Sequence, residues 1–261
     1  MPVRVSAIHA TPIKSLRLES LAEAELTDTG VRDDRRFLLV DETDRIITQR
    51  EAGGLATVSA HYDSSARELV VTLPDGEQVA GRPEIQEPYE TTFYGVRMAG
   101  NLVAGPWAEA IAGVVGRTLR LMWVEEGPAL GLDQAPVSLL GEESVSELQR
   151  QSAMEQSPGV RRFRPTLLLE GSAPHAEDEW VGRRVRAGDT VLRVVHRDPR
   201  CSLTTRNPET GERDLDTLRL ISSYRPPGDD KQIYFGVYAA VEAPGTVRVG
   251  DTVHPLPEDE P

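Results

Sequence analysis

Cysteine occurs once in 261 residues, at position 201, and that scarcity excludes several classes of protein at once. One thiol cannot make an intrachain disulfide, a Cys-x-x-Cys redox pair, a zinc site built on several thiolates or a cysteine-ligated iron–sulfur cluster. A thiol-poor chain fits a reducing cytoplasm. No stretch of about 18 apolar residues occurs, and Met1 to Ala10 lacks the sustained apolar core of a signal peptide. The sequence therefore reads as a soluble, cytoplasmic protein with no membrane partner. Lysine is nearly missing too: only Lys14 and Lys231 are found, and arginine supplies the rest of the 29 basic residues. With 42 acidic residues the formal net charge is -13, which argues against a nucleic-acid partner, since such binding draws on many cationic contacts to phosphates. A basic site on this chain must be local.

What is present reads as mostly β. Arg4 to Ile8 alternates in the strand period, Arg36 to Val40 followed by Arg45 to Thr48 reads as a hairpin, and Glu68 to Val79 as another turning at Pro74-Asp75-Gly76. Helices are expected at Pro106 to Val115, where proline suits the first turn and Gly116 the stop, near Glu142 to Ser152, and at about Leu215 to Tyr224. Strands are expected at Leu119 to Val124, Thr166 to Leu169, Val185 to Val195, Ile233 to Val241 and Thr246 to Val253. Glu125-Glu126-Gly127-Pro128 reads as a linker, which divides the chain into a β-rich region, 1–125, and a second domain, 126–261. Val185 to Val191 and Val247 to Val253 match at six of seven positions, each with a Gly-Asp corner. Such an echo suits a small barrel that turns the same corner twice with its valines inward.

Cys201 lies in the run Arg197-Asp198-Pro199-Arg200-Cys201-Ser202-Leu203-Thr204-Thr205-Arg206. Guanidinium charge nearby favours thiolate over thiol, and a thiolate is both a nucleophile and a soft-metal ligand. Three further segments join cations to a proline or an abrupt strand start, as a scaffold does when it aims charge at an anion. They are Thr11 to Ser15, Gly30 to Phe37, and Arg161 to Thr166. His196 could serve Cys201 as a base in a cysteine hydrolase, but five residues along a strand and turn set the two on different faces. His175, in an acidic loop, reads as bordering a substrate entrance or as solvated.

Taken in order, these pieces resemble the MOSC family, in its two-part form with an N-terminal β-rich region, as found in the amidoxime-reducing components and their bacterial relatives. The resemblance rests on Pro12-Ile13-Lys14-Ser15, Asp34-Arg35-Arg36-Phe37, Phe163-Arg164-Pro165, Arg200-Cys201 with Leu203-Thr204-Thr205, Pro208-Glu209-Thr210-Gly211, Ser223-Tyr224-Arg225, and Phe235-Gly236 with Pro244 to Asp251. It implies an α+β, β-dominated fold: an N-terminal β-rich region and a C-terminal MOSC β-barrel with a few helices. It also implies a molybdenum cofactor, a dithiolene-bearing pterin with a phosphate, whose metal Cys201 would ligate as the catalytic residue. Lys14, Ser15, Arg35, Arg164 and Thr166 would hold the pterin and its phosphate, with Arg200 and Tyr238 closing around it. Thr166 stands where relatives carry asparagine, and Gln134 and Ala135 where small hydroxyl residues are familiar. The implied reaction is reduction of small N-hydroxylated substrates, amidoximes and hydroxylamines, with electrons from a separate donor protein. The alternative is a cofactor carrier or sulfur-handling module without turnover. Proton delivery has no clear owner in the sequence.

Overall fold

The structure, a computed structural model, describes residues 2–124 and 135–257. The Glu125 to Pro128 linker, the division between 125 and 126, and Gln134 lie outside the described residues. Strands dominate, with three α-helices, α1 (Trp107–Val115), α2 (Glu142–Gln151) and α3 (Thr217–Ser222), among the described residues, so the fold is β-dominated α+β.

The largest sheet has eight strands, in the order Val253–Pro255, Arg184–Ala187, Thr190–Pro199, Tyr234–Ala243, Val137–Gly141, Leu167–Glu170, Arg4–Ala10 and Glu19–Leu21. Every neighbouring pair is antiparallel except Val137–Gly141 with Leu167–Glu170, whose parallel pairing follows a crossover that carries α2. The first strand of the chain thus sits in a sheet otherwise built largely from residues beyond 137. Glu23–Thr27 likewise pairs with Gly245–Arg248 in a three-stranded sheet. Val5, Ile8 and Leu26 share one core with Val137, Leu139, Leu192 and Val237, all fully buried.

The expected barrel is not closed by its named strands, whose outer members remain edges. Among the described residues a bridge, Arg4 to Thr252, and the bonds Val5 N to Asp251 O (2.9 Å), Gly250 N to Val5 O (2.8 Å) and Val253 N to Val3 O (2.8 Å) tie the two sides together instead. The echoing segments do turn Gly-Asp corners, and four of their five valines, Val185, Val191, Val247 and Val253, are buried, but the fifth, Val249, is exposed, because it stands in the turn itself and not on a strand. Their pairings differ, however. Arg184–Ala187 and Thr190–Pro199 form one hairpin, whereas the second corner sends the chain out of one sheet and into another, so the strand expected from Thr246 to Val253 is two.

The other main body is a four-stranded antiparallel sheet in the order Phe37–Val40, Arg120–Trp123, Val96–Ala104, Glu84–Phe93. Its period-two alternation separates two cores: Phe37 and Leu39 face Leu55, Trp107 and Ile111, while Leu38 and Val40 face Phe93 and Met122. The buried Trp107 indole N–H donates to Leu69 O at 2.9 Å, which satisfies its one donor inside the core. Residues 45–48 hold two isolated bridges, Val40 to Ile46 and Arg45 to Thr92, rather than the full expected hairpin strand. The Glu84–Ala104 hairpin, absent from the sequence reading, projects its turn toward the first sheet. No helix among the described residues is long and apolar enough to cross a membrane.

Candidate functional site

A cavity of about 540 Å³ opens where these bodies meet, a size that suits a cofactor or a drug-sized ligand. The first sheet contributes Ser138 and Tyr238, and the end of Thr190–Pro199 contributes Asp198, Pro199, Arg200 and Cys201. Lys14 and Ser15 enter from the turn after the first strand, Arg35 from the turn before Phe37–Val40, and Phe163 and Arg164 from the 3-10 turn before Leu167–Glu170. Thr48 and Arg50 complete one side, and the hairpin tip adds Phe93 and Tyr94.

Cys201 is exposed to this space. It precedes the 3-10 turn Ser202–Thr205, where its carbonyl accepts from the Thr204 amide (3.1 Å) and hydroxyl (3.0 Å), so backbone bonds fix the thiol's base. Arg162 braces the same turn from below, donating to Arg206 O at 2.7 Å and pairing with Asp214 at 2.7 Å. Arg206 is itself committed to Gly211 O and Arg50 O, and Arg197 lies over the Tyr234 ring, 4.5 Å from its centroid. The arginines that flank Cys201 in sequence therefore serve mainly to build its loop.

The cations that remain available are Lys14 and Arg164. Arg35 has Asp34 at 3.0 Å, and Arg200 has Asp198 at 2.7 Å, a close ion contact without hydrogen-bond alignment. Arg164 Nη2 is buried with no hydrogen-bond partner, and the Lys14 ammonium has a ring contact, 4.9 Å above Phe93, but no anionic partner among the described residues. Loss of water, reinforced by Arg35 and Arg164, pushes the Lys14 ammonium down to about 7. Burial and then Arg35 push the Arg164 guanidinium down to about 9. A bound anion would relieve both. Ser15, Arg35, Arg164 and Tyr94, all on the cavity, hold a left-handed backbone with φ of 70°, 53°, 53° and 49°.

Three of the sequence-derived positions behave differently from expectation. Thr166 does not line the cavity: its amide donates to Ser138 Oγ (2.9 Å), and its hydroxyl accepts from the Ser138 amide (3.2 Å). Its side chain faces the neighbouring strand, and Ser138 takes the cavity position. Arg200 is a brace as much as a ligand, donating to Phe235 O at 2.7 Å and Phe163 O at 2.8 Å. Gly236, with φ of 82°, makes room for it, since a Cβ there would stand 3.2 Å from Arg200 Nη2 and 2.7 Å from Leu139 O. His175 lies away from the cavity, its Nε2 3.3 Å from the Tyr224 hydroxyl and its ring edge-on to Phe235. Burial pushes its imidazole down to about 4, so it packs as a neutral ring. Lys231, the second lysine, is an exposed turn residue.

The most informative residue that sequence reasoning missed is Asp198. It is only 1% exposed, lies on the cavity wall three residues before Cys201, and accepts a hydrogen bond from Tyr238. Burial pushes its carboxyl up to about 6, against the pull of Arg200, Tyr238, His196 and Arg35. Burial likewise pushes the Tyr238 hydroxyl well up from its ordinary range, so the phenol remains a donor. Among the described residues no three His, Cys, Asp or Glu side chains converge as a metal cage. A metal at Cys201 would have to arrive with most of its ligands.

Comparison with known proteins gives a consistent result. Residues 126–254 match the sequence profile of the MOSC domain, and residues 2–108 that of the MOSC N-terminal beta barrel domain. The chain is 27% identical to mitochondrial amidoxime-reducing component 1 of Mus musculus, over 97% of this chain and 82% of that one. With the Xenopus laevis protein of the same name the identity is 28%, over 96% and 81%. Similarity extends to a molybdenum cofactor sulfurase of Solanum lycopersicum, 25% identical over 96% of this chain and 35% of that protein.

Proposed function

The chain belongs to the MOSC family and is related to proteins of molybdenum-cofactor chemistry, and from that premise we propose that it is a molybdenum-cofactor-dependent reductase of N-hydroxylated compounds. One observation carries the reading: an exposed lone thiol shares a cavity with two cations, Lys14 and Arg164, that form no ion pair with a carboxylate among the described residues. A soft thiolate suits molybdenum, and a pterin phosphate is a dianion that this cation pair can bind. The residues present therefore fit the group.

Cys201 is the proposed metal ligand, and Lys14, Arg164, Arg35 and the Ser15 hydroxyl the proposed phosphate and pterin contacts, with Ser138 in the place first assigned to Thr166. When bound, the cofactor supplies the two-electron couple. The overall change takes two electrons and two protons, breaks the N–O bond, and leaves an amidine or amine and water. Asp198 is a carboxyl on the cavity wall that can hold one of those protons near neutral pH. Arg200 and Tyr238 fix its carboxyl in place, which limits the reorganisation that proton transfer requires. The proposed division at 125/126 makes the cavity a shared product of both regions.

The direct test is molybdenum content per chain in protein from a cofactor-competent host, together with turnover of benzamidoxime. Electrons should come from a separate protein, because the chain has one cysteine and no Gly-rich dinucleotide fingerprint after a strand. Purified protein is expected to reduce benzamidoxime with a reduced dye and not with NADH or NADPH alone; turnover on a nicotinamide without a partner would contradict this. Stoichiometric molybdenum with no turnover under any reductant would identify a carrier instead.

Asp198→Asn tests the proton. An acid held at about 6 is protonated below that pH and loses its proton above it, so the wild-type rate should decline as pH rises past 6. In the asparagine variant that limb should vanish and the rate at pH 6 should fall by about 10²-fold or more. Persistence of the limb would assign the proton to another group.

A further inference from the structure

The turn of the long hairpin breaks a local rule. Val96 pairs directly with Phe93, so the connection is the two-residue loop Tyr94-Gly95. Both have positive φ, 49° and 80°, the mark of a type I′ turn, whose first central position favours asparagine, aspartate or glycine. A tyrosine there is strained, because its Cβ crowds the left-handed backbone. Burial does not compensate: Tyr94 is 58% exposed. Nor does a polar partner, since no hydrogen bond of its hydroxyl is found among the described residues.

The contacts that Tyr94 does make hold its ring at the cavity. Arg50, a cavity residue, sets its guanidinium 4.8 Å from the ring centroid, and Phe93 meets the ring at 4.5 Å in a T-shaped contact. Arg50 is pinned in turn, its carbonyl accepting from Arg206 Nη2 at 2.9 Å. A strained, exposed aromatic side chain fixed at the rim of a site is a feature that stability alone would remove.

We propose that Tyr94 is a specificity-determining residue, whose ring stacks on the planar π-system of an aryl substrate entering the cavity. The inference rests on the reductase reading for the reaction but on the hairpin geometry for the selection. Aryl amidoximes should be favoured over aliphatic ones of the same functional group, because only the former present a second plane for stacking.

The experiment compares wild type, Tyr94→Asn and Tyr94→Phe as cofactor-loaded proteins, with benzamidoxime and acetamidoxime as substrates. Tyr94→Asn places a residue at ease in the turn, so its Tm should be equal or higher, while KM for benzamidoxime rises about three- to tenfold and KM for acetamidoxime stays within about twofold. Tyr94→Phe should keep both values. Equal movement of both KM values, or of neither, overturns the proposal, as does a fall in pterin content in Tyr94→Asn, which would place the ring against the cofactor. Should wild type reduce neither compound, the reductase reading fails by itself. The affinities of benzamidine and acetamidine for the same three proteins, measured by calorimetry, then decide the stacking role: a wild-type preference for benzamidine that Tyr94→Asn abolishes sustains it, and no preference refutes it.

Discussion

Cys201→Ser is expected to give a folded protein that keeps much of its pterin and loses reductase activity to background. Folding should survive because the thiol is exposed and the bonds that shape its turn come from the Cys201 carbonyl to Thr204, not from sulfur. Substitutions of this kind shift stability by about 0.5 kcal/mol or less. Pterin retention follows from the separation of roles, since Lys14, Arg35 and Arg164 are untouched. The metal, however, would exchange a soft, polarizable ligand for a hard one. Loss of activity alone does not discriminate, because a cysteine nucleophile would also be lost. The deciding measurement is the electron paramagnetic resonance signal of the Mo(V) state, which a metal-bound cysteine must alter on substitution. An unchanged signal in the serine variant removes Cys201 from the metal.

The parts of this site that were legible in the sequence are those whose chemistry is written locally. Lys14 stands out in a chain that otherwise uses arginine, Cys201 is the lone thiol, and Arg35 and Arg164 abut sharp turns; the fold brings all four to one cavity. Thr166 sits one residue outside the readable pattern, because which strand partner receives a side chain depends on register, and Ser138 is the partner it meets. Asp198 looked like one more charge among arginines. Its burial is created by the pairing of Thr190–Pro199 with Tyr234–Ala243, with three register shifts along the way, and no local pattern encodes such irregularity. The Glu84–Ala104 hairpin was silent for another reason. It carries charges, Pro88 and a Tyr-Gly turn in place of an Asn-Gly or Asp-Gly one, so neither alternation nor turn chemistry marks it. That same departure from turn chemistry points to Tyr94 once the structure is in view.

Lys14→Ala and Arg164→Ala should each lower cofactor occupancy, and pH should tell their contributions apart. Each charge-assisted contact is worth roughly 1.5–3 kcal/mol, about a ten- to hundredfold change in affinity. Neither residue is part of the apolar cores, so circular dichroism should stay close to wild type. The Lys14 ammonium is held down to about 7 in the open cavity by loss of water and by Arg35 and Arg164. A depressed lysine contributes full stability above the ordinary lysine range, and that contribution is lost as pH falls through 7, where the buried charge forms without a counter-ion. A bound phosphate reverses the balance by favouring the ammonium. Binding of a phosphate-bearing pterin above pH 7 should therefore take up a proton and weaken as pH rises, measured by calorimetry in buffers of different ionisation enthalpy. Arg164→Ala removes one charge from beside Lys14 and should keep this proton uptake with its onset moved to higher pH. Lys14→Ala should lose it. Full occupancy in both variants, or proton uptake that persists without Lys14, would place the anion site elsewhere in the chain.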